Sequence, residues 1–307
     1  MKNDTRHFSG LVTRALGQTI YVRPDGTADE IICYLRKTLK QDPTVLSPIA
    51  VGDWVQCEQA PNDERGVITE ILPRKNKLSR QSSPIVGSKE DILAANLDQI
   101  IIVVAAAQPD PTVPKIDRFL VIAEACEIPA VLVFNKMDIA PPELDSLIQI
   151  YASIGYPCLK ISAKTGENID QLKTILQDKL SVLIGFSGVG KSTTLNAIEP
   201  DLSLRVGKIS QKTGKGRHTT TAAQMFDLSL GGAIVDTPGL KELSIWGIDK
   251  VGLSLCYPEM VPLLDNCYFD DCIHVTEPNC AVKAALDAGQ IHPMRYESYC
   301  RILQNLA

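Results

Sequence analysis

The run Gly185-Phe186-Ser187-Gly188-Val189-Gly190-Lys191-Ser192 places glycines, a lysine and a hydroxyl at the spacing of a phosphate-binding loop. The glycines allow a tight wrap that aims backbone N–H groups at phosphate oxygens. A helix starting at the lysine would add its positive end. Lys191 would then reach the β- and γ-phosphates, Ser192 would ligate Mg²⁺, and Thr193 would continue the nucleotide-binding run. An apolar strand pattern precedes the loop and a helical pattern follows it, as this loop requires.

Two further segments suit a guanine base. Asn135-Lys136-Met137-Asp138 follows an apolar run. The Asp138 carboxylate can accept from a ring N–H and an exocyclic amine together, a donor pair that adenine lacks. Asn135 can bond the base and tie its loop to the phosphate loop. Ser162-Ala163-Lys164 ends the next apolar run, and the Ala163 N–H is placed to receive a base carbonyl. Asp236-Thr237-Pro238-Gly239 follows another short apolar run. There Asp236 would hold Mg²⁺ through a water, and the Gly239 N–H would sense the γ-phosphate. Between them, Gly214 to Thr221 has Gly214 and Gly216 in a loose loop, with Thr219 and Thr220 as equal candidates to close over Mg²⁺. Spacing alone fits a simple flexible loop equally well.

A second chemistry sits near the C-terminus. Cys267, Cys272, His274 and Cys280 offer three thiolates and an imidazole within a short span. That donor set matches a closed, structural Zn²⁺ site, one ion per chain, with no position open for catalysis. Cys256 and Cys300 fall outside the pattern and read as ordinary buried thiols, and His292 also lies outside it.

These residues need elements to hold them. Gly10 to Val22, Val51 to Glu58 and Arg65 to Leu72 have the texture of short strands, which suggests a small β-barrel, of the OB type, over residues 1–72. Tyr21, Tyr34 and Trp54 are the aromatic candidates for its surface, with Trp54 the one expected in the core. Arg74 to Lys89 is polar and basic and reads as a linker. From there to residue 240, buried strands (Ile100 to Ala107, Ala130 to Phe134, Cys158 to Ile161, Ser181 to Ile184) alternate with amphipathic helices (Lys115 to Cys126, Leu144 to Ile154, Ile169 to Leu176, Lys191 to Ile198). That alternation predicts a parallel α/β sheet. Gln224 to Leu230 and Gly232 to Val235 read as a strand pair across a Gly-Gly turn. Residues 241–307 read as a small, mostly helical domain carrying the Cys/His group, with helices near Ala281 to Ala288 and Tyr296 to Leu306.

The chain has 307 residues and a formal net charge of -5, which excludes a protein coated in positive charge. Contact with nucleic acid would need local patches, such as Arg74, Lys75, Lys77 and Arg80, or Arg205, Lys208, Lys212, Lys215 and Arg217. Either run also reads as a solvated face. The longest apolar run is too short to span a bilayer. Nine cysteines in a chain of this size suit a reducing compartment, and a cytoplasmic protein without membrane contact is expected.

The motif set resembles that of the circularly permuted GTPases, specifically the bacterial small-ribosomal-subunit biogenesis (RsgA) family. The guanine motifs at 135–138 and 162–164 precede the phosphate loop here, whereas Ras-like GTPases have the reverse order. Ala95-Asn96-Leu97-Asp98, Ile116-Asp117-Arg118, Gly214 to Thr221, Gly231-Gly232 and Cys267 to Cys280 are similar to family signatures. The resemblance implies an OB-fold barrel, a permuted GTPase domain and a zinc domain. It also implies late maturation of the 30S subunit, contact with ribosomal RNA and ribosomal proteins, and hydrolysis stimulated by that particle. A monomer is expected. Where Ras has a water-orienting glutamine, this chain has Leu240, which cannot hydrogen-bond water. The resemblance points to His218 in that role, although docking on RNA is another reading of it.

Overall fold

The computed structural model describes residues 5–37, 39, 44–81, 89–200, 223–236 and 247–306. They fall in two compact units. One draws on Met1–Gln99, Lys173–Leu183 and Glu199–Ser244, the other on Ile100–Leu172, Ile184–Ile198 and Ile245–Ala307.

In the first unit, β1 (Arg6–Leu16), β2 (Thr19–Pro24), β3 (Ile31–Leu35), β4 (Trp54–Gln59) and β5 (Gly66–Ile71) close a five-stranded barrel. β1 pairs with β2 and β4, β2 with β3, β4 with β5, and β3 runs parallel to β5. Val12, Ile20, Val22, Cys33, Val55, Cys57 and Ile68 fill it. Because Val55 and Cys57 take the inward positions of β4, the period of two turns Trp54 outward. Trp54 is 38% exposed, and so not in the core where it was expected.

The segment read as a linker contains a strand. β6 (Lys77–Gln81) pairs with β7 (Glu90–Ala95), and Leu78 and Ser79 are buried. Its charges are matched across the pair, Lys77 to Glu90 at 2.7 Å and Arg80 to Asp91 at 2.8 Å, so it lacks the apolar alternation of an ordinary strand.

Also in this unit, β11 (Leu180–Ile184) and β13 (Ala233–Asp236) run parallel, and β12 (Gln224–Asp227) lies antiparallel beside β13. β12 meets β1 at Arg14 and Gln224, and Arg23 bridges to Asp227 at 2.6 Å.

In the second unit, β8 (Gln99–Ala105), β9 (Ala130–Asn135) and β10 (Cys158–Lys160) are parallel in the order β10-β9-β8. Every residue of β9 is buried, as a strand covered on both faces requires. Burying one isoleucine or leucine side chain contributes about 1.5–3 kcal/mol. The helices are α1 (Val113–Ala125), α2 (Leu144–Ile154), α3 (Ile169–Leu176), α4 (Lys191–Ile198), α5 (Ala281–Asp287) and α6 (Pro293–Asn305), with α3 divided between the units. Short 3-10 turns, Gly252–Cys256 and Val261–Asn266, lead toward the Cys/His group. Their core joins Leu253, Tyr257, Met260, Val282, Ile291, Tyr299 and Leu303. Among the described residues no helix is long and apolar enough to cross a membrane.

Candidate guanine-nucleotide and zinc sites

β11 runs directly into Gly185, and α4 begins at Lys191. The loop between them needs two glycines for steric reasons. A Cβ on Gly185 would lie 2.3 Å from the Val103 carbonyl oxygen, and one on Gly190, where φ is +95°, would lie 2.4 Å from Asn135 Nδ2. Val189 is buried and fixes the loop, whereas Ser187, Gly188, Ser192 and Thr193 face outward. Lys191 Nζ donates to the carbonyls of Gly185 at 2.6 Å and Phe186 at 2.8 Å, which holds the ammonium against the loop. Thr194 Oγ1 donates to the Gly190 carbonyl at 2.9 Å and stitches the loop to the helix.

Asn135, the last residue of β9, is 2% exposed. Its Nδ2 donates to the Val189 carbonyl at 3.0 Å, and its Oδ1 accepts from the Ala163 N–H at 3.0 Å. One side chain thus joins the loop at 162–164 to the phosphate loop. Lys136 adopts a left-handed backbone, φ 68°, and its ammonium donates to the Gln108 carbonyl. Asp138 is exposed, accepts from the Ser162 hydroxyl at 2.8 Å and lies 3.4 Å from Lys164 Nζ. The Ser162 hydrogen bond, with Lys164 beside it, holds the Asp138 carboxyl below the usual carboxylate range. Its carboxylate therefore stays ionised and ready to accept.

Asp236 ends β13, and burial raises its carboxyl above the ordinary range. Thr219, Thr220, His218, Gly239 and Leu240 lie outside the described residues, as does the basic run from Arg205 to Arg217.

Cys267, Cys272, His274 and Cys280 converge, their ligand atoms all within 4.8 Å of one another. The Cys267 Sγ–His274 Nδ1, His274 Nδ1–Cys280 Sγ and Cys267 Sγ–Cys280 Sγ distances are 3.6, 3.4 and 4.0 Å. Tetrahedral Zn²⁺ with bonds of about 2.3 Å to sulfur and about 2.0 Å to nitrogen needs donors about 3.4–3.8 Å apart, so the group could hold a zinc ion. His274 is buried and has a left-handed backbone, with φ +60°. Cys256 is buried and Cys300 half-buried. His292 serves another purpose: its ring accepts from the Met294 N–H at 3.2 Å and caps α6.

Sequence reasoning gave no partner for one buried cluster. Arg295 on α6, 1% exposed, bonds Asp117 on α1, which is fully buried, and Glu259 at 2.7 Å. The Tyr151 hydroxyl donates to Asp117 at 2.9 Å. Burial opposes the Arg295 charge, but Asp117 and Glu259 outweigh it and keep the guanidinium protonated. An aspartate among the apolar residues of α1 was the available signal, but its partner lies 178 residues away.

The model of the RsgA GTPase family matches residues 71–246. A small ribosomal subunit biogenesis GTPase from Gemmatimonas aurantiaca is 44% identical over 304 residues, spanning 98% of each chain. The chain belongs to the RsgA GTPase family. It is accordingly a GTP-hydrolysing enzyme. A Porphyromonas gingivalis relative carrying the same name is 42% identical over 309 residues, 97% of each chain. The crystal structure of YjeQ from Thermotoga maritima superposes with a TM-score of 0.77 at 36% identity, covering 98% of this chain and 99% of that one. That of YloQ, a circularly permuted GTPase, gives 0.74 at 28% identity, covering 98% and 95%. The expected family and the expected architecture of barrel, permuted GTPase fold and zinc-type C-terminal region both stand.

Proposed function

We propose that the chain binds GTP and Mg²⁺ across Asn135–Asp138, Ser162–Lys164 and Gly185–Thr193 and acts as a monomeric cytoplasmic factor in maturation of the small ribosomal subunit. The observation that carries the nucleotide reading is Asn135, whose two hydrogen bonds draw the candidate base loops and the phosphate loop into one site. The choice of particle is supported by relatives named for small-subunit biogenesis that match nearly the whole chain. Exposed Tyr34 and Trp54 on the barrel suit contact with ribosomal RNA or ribosomal proteins.

The reaction is attack of water on the γ-phosphoryl group, giving GDP and phosphate. Backbone N–H groups of the phosphate loop hold the phosphates, and Lys191 meets the developing charge. Ser192, with Asp236 and either Thr219 or Thr220, is an all-oxygen donor set that suits Mg²⁺. The bound ion would neutralise charge on the β- and γ-phosphates. Gly239 would contact the γ-phosphate and His218 would orient water. Cys267, Cys272, His274 and Cys280 would bind one structural Zn²⁺.

Co-sedimentation with purified small and large subunits, with and without a non-hydrolysable GTP analogue, tests this when coupled to a GTPase assay. Nucleotide-dependent binding to small subunits and faster turnover on them are expected. Equal binding to both subunits, or an unchanged rate, would overturn the ribosomal part.

A further inference from the structure

We propose that Arg295 and Asp117 are positioning residues for the phosphate loop, and that through them nucleotide binding is linked to metal retention in the Cys/His group. The link is a chain of direct contacts. α6 grips the backbone of the Cys/His group at two points: the Tyr296 hydroxyl donates to the His274 carbonyl at 2.7 Å, and the Tyr299 hydroxyl donates to the Ile273 carbonyl at 3.0 Å. The same helix carries Arg295, whose guanidinium is buried against Asp117 of α1. Two residues along α1, roughly 200° around the helix, the Phe119 ring meets the Phe186 ring with centroids 4.9 Å apart. Phe186 belongs to the phosphate loop, and its carbonyl accepts from Lys191. Helix α1 is thus held by Arg295 and bears on Phe186 through Phe119.

A buried guanidinium has few alternative partners, so the pair ties α1 to α6 at one defined point. Interiors at crystal-like density transmit such displacements rather than absorb them. Any shift of α6 on metal loss is passed to the Phe186 carbonyl and from there to Lys191. Linkage requires the reverse effect to be of the same size: if the metal strengthens nucleotide binding, nucleotide strengthens metal binding by the same factor. Arg295, Asp117 and Phe119 need not touch the nucleotide themselves; only Phe186 and Lys191, at the end of the path, belong to the phosphate loop.

The proposal rests on the reading of Gly185–Ser192 as the phosphate loop, and two measurements on the zinc-loaded full chain separate the two ideas. GDP affinity is read by fluorescence of a labelled GDP. Zinc equilibrium is read by competition with a colorimetric chelator, with and without saturating GDP. In wild type, GDP should raise zinc affinity about threefold or more, and zinc removal should weaken GDP by a matching factor. Phe119→Leu, which leaves the ion pair intact, should weaken GDP and shrink the GDP effect on zinc while keeping one zinc per chain. Asp117→Asn and Arg295→Met should do the same, and Arg295→Lys should restore part of the effect. If wild type binds no GDP, the phosphate-loop reading fails. If GDP binds tightly and leaves zinc affinity unchanged, the positioning proposal is overturned, whether or not the ion-pair variants fold.

Discussion

The Ser162 hydroxyl lies 2.8 Å from Asp138 Oδ1 and donates to it. That hydrogen bond favours the charged carboxylate, which is the form able to accept from guanine, and Lys164 adds to the effect. Binding of GDP should therefore stay level as pH falls from 8 through 5 and weaken only in more acid solution, below the ordinary aspartate pKa of about 3.9. Ser162→Ala should move that loss to higher pH. A GDP titration series from pH 8 to the acid limit of folding checks it, and identical profiles for the two proteins would remove Ser162 from this role.

Changing Asp138, the proposed base contact, should change the nucleotide preferred. Asp138→Asn is expected to weaken GTP by roughly two orders of magnitude or more. It should relatively favour xanthosine triphosphate, whose base replaces a donor with an acceptor. Competition between GTP, ATP and xanthosine triphosphate reads this out. ATP competing equally with GTP in wild type would mean that the guanine assignment is wrong.

Gly190 offers a steric test. A methyl group there would meet Asn135 Nδ2 at 2.4 Å, on a backbone with φ +95° that side chains rarely adopt. Gly190→Ala should lower GTP affinity more than tenfold, at a stability cost of about 1–3 kcal/mol. The loss should exceed that for Gly289→Ala, where φ is +71° and the space is open. Similar GTP affinities for the two variants would show that the contact of Asn135 with the loop does not shape the site.

Metal analysis of protein purified without added metal should find about one Zn²⁺ per chain. Cys272→Ala should lose it and open the C-terminal region to protease, because a bound ion would supply much of the folding free energy of a region with a small core. Full zinc retention in the variant would sink the assignment.

For the particle-dependent step, His218→Ala should spare GTP binding and small-subunit association but cut stimulated turnover, as a contact made mainly in the transition state would. Lys215→Ala with Arg217→Ala should weaken association itself, more steeply at high salt. Single-turnover hydrolysis at saturating small subunits decides the first. Stimulation that persists undiminished without the imidazole would leave His218 no catalytic role.

What could be read in advance follows from where the information resides. β8 and β9 announce themselves because a strand covered on both faces must be apolar throughout, and the α4 boundary follows from the phosphate loop. The Cys/His group was legible because its ligands are close in sequence. β6 was not, since Lys77 and Arg80 satisfy their charges on β7 and leave no apolar stripe. Trp54 lies outside the core where burial is expected for it, although the apolar Val55 and Cys57 that follow it at alternate positions already fixed its direction. The partnership of Asp117 with Arg295 could not be inferred, because no local pattern links helices at opposite ends of the unit's chain segments.

β1 does more than close a barrel, since its Arg14 also pairs with Gln224 on β12. On its other side β12 pairs with β13 along its length, so β1 meets the remaining margin of that strand at one residue pair. A chain cut before residue 73 would bare this margin together with its unpaired N–H and carbonyl groups, a template for association with other molecules. Expressing residues 73–307 alone should therefore yield a fragment more prone to self-association than the full chain.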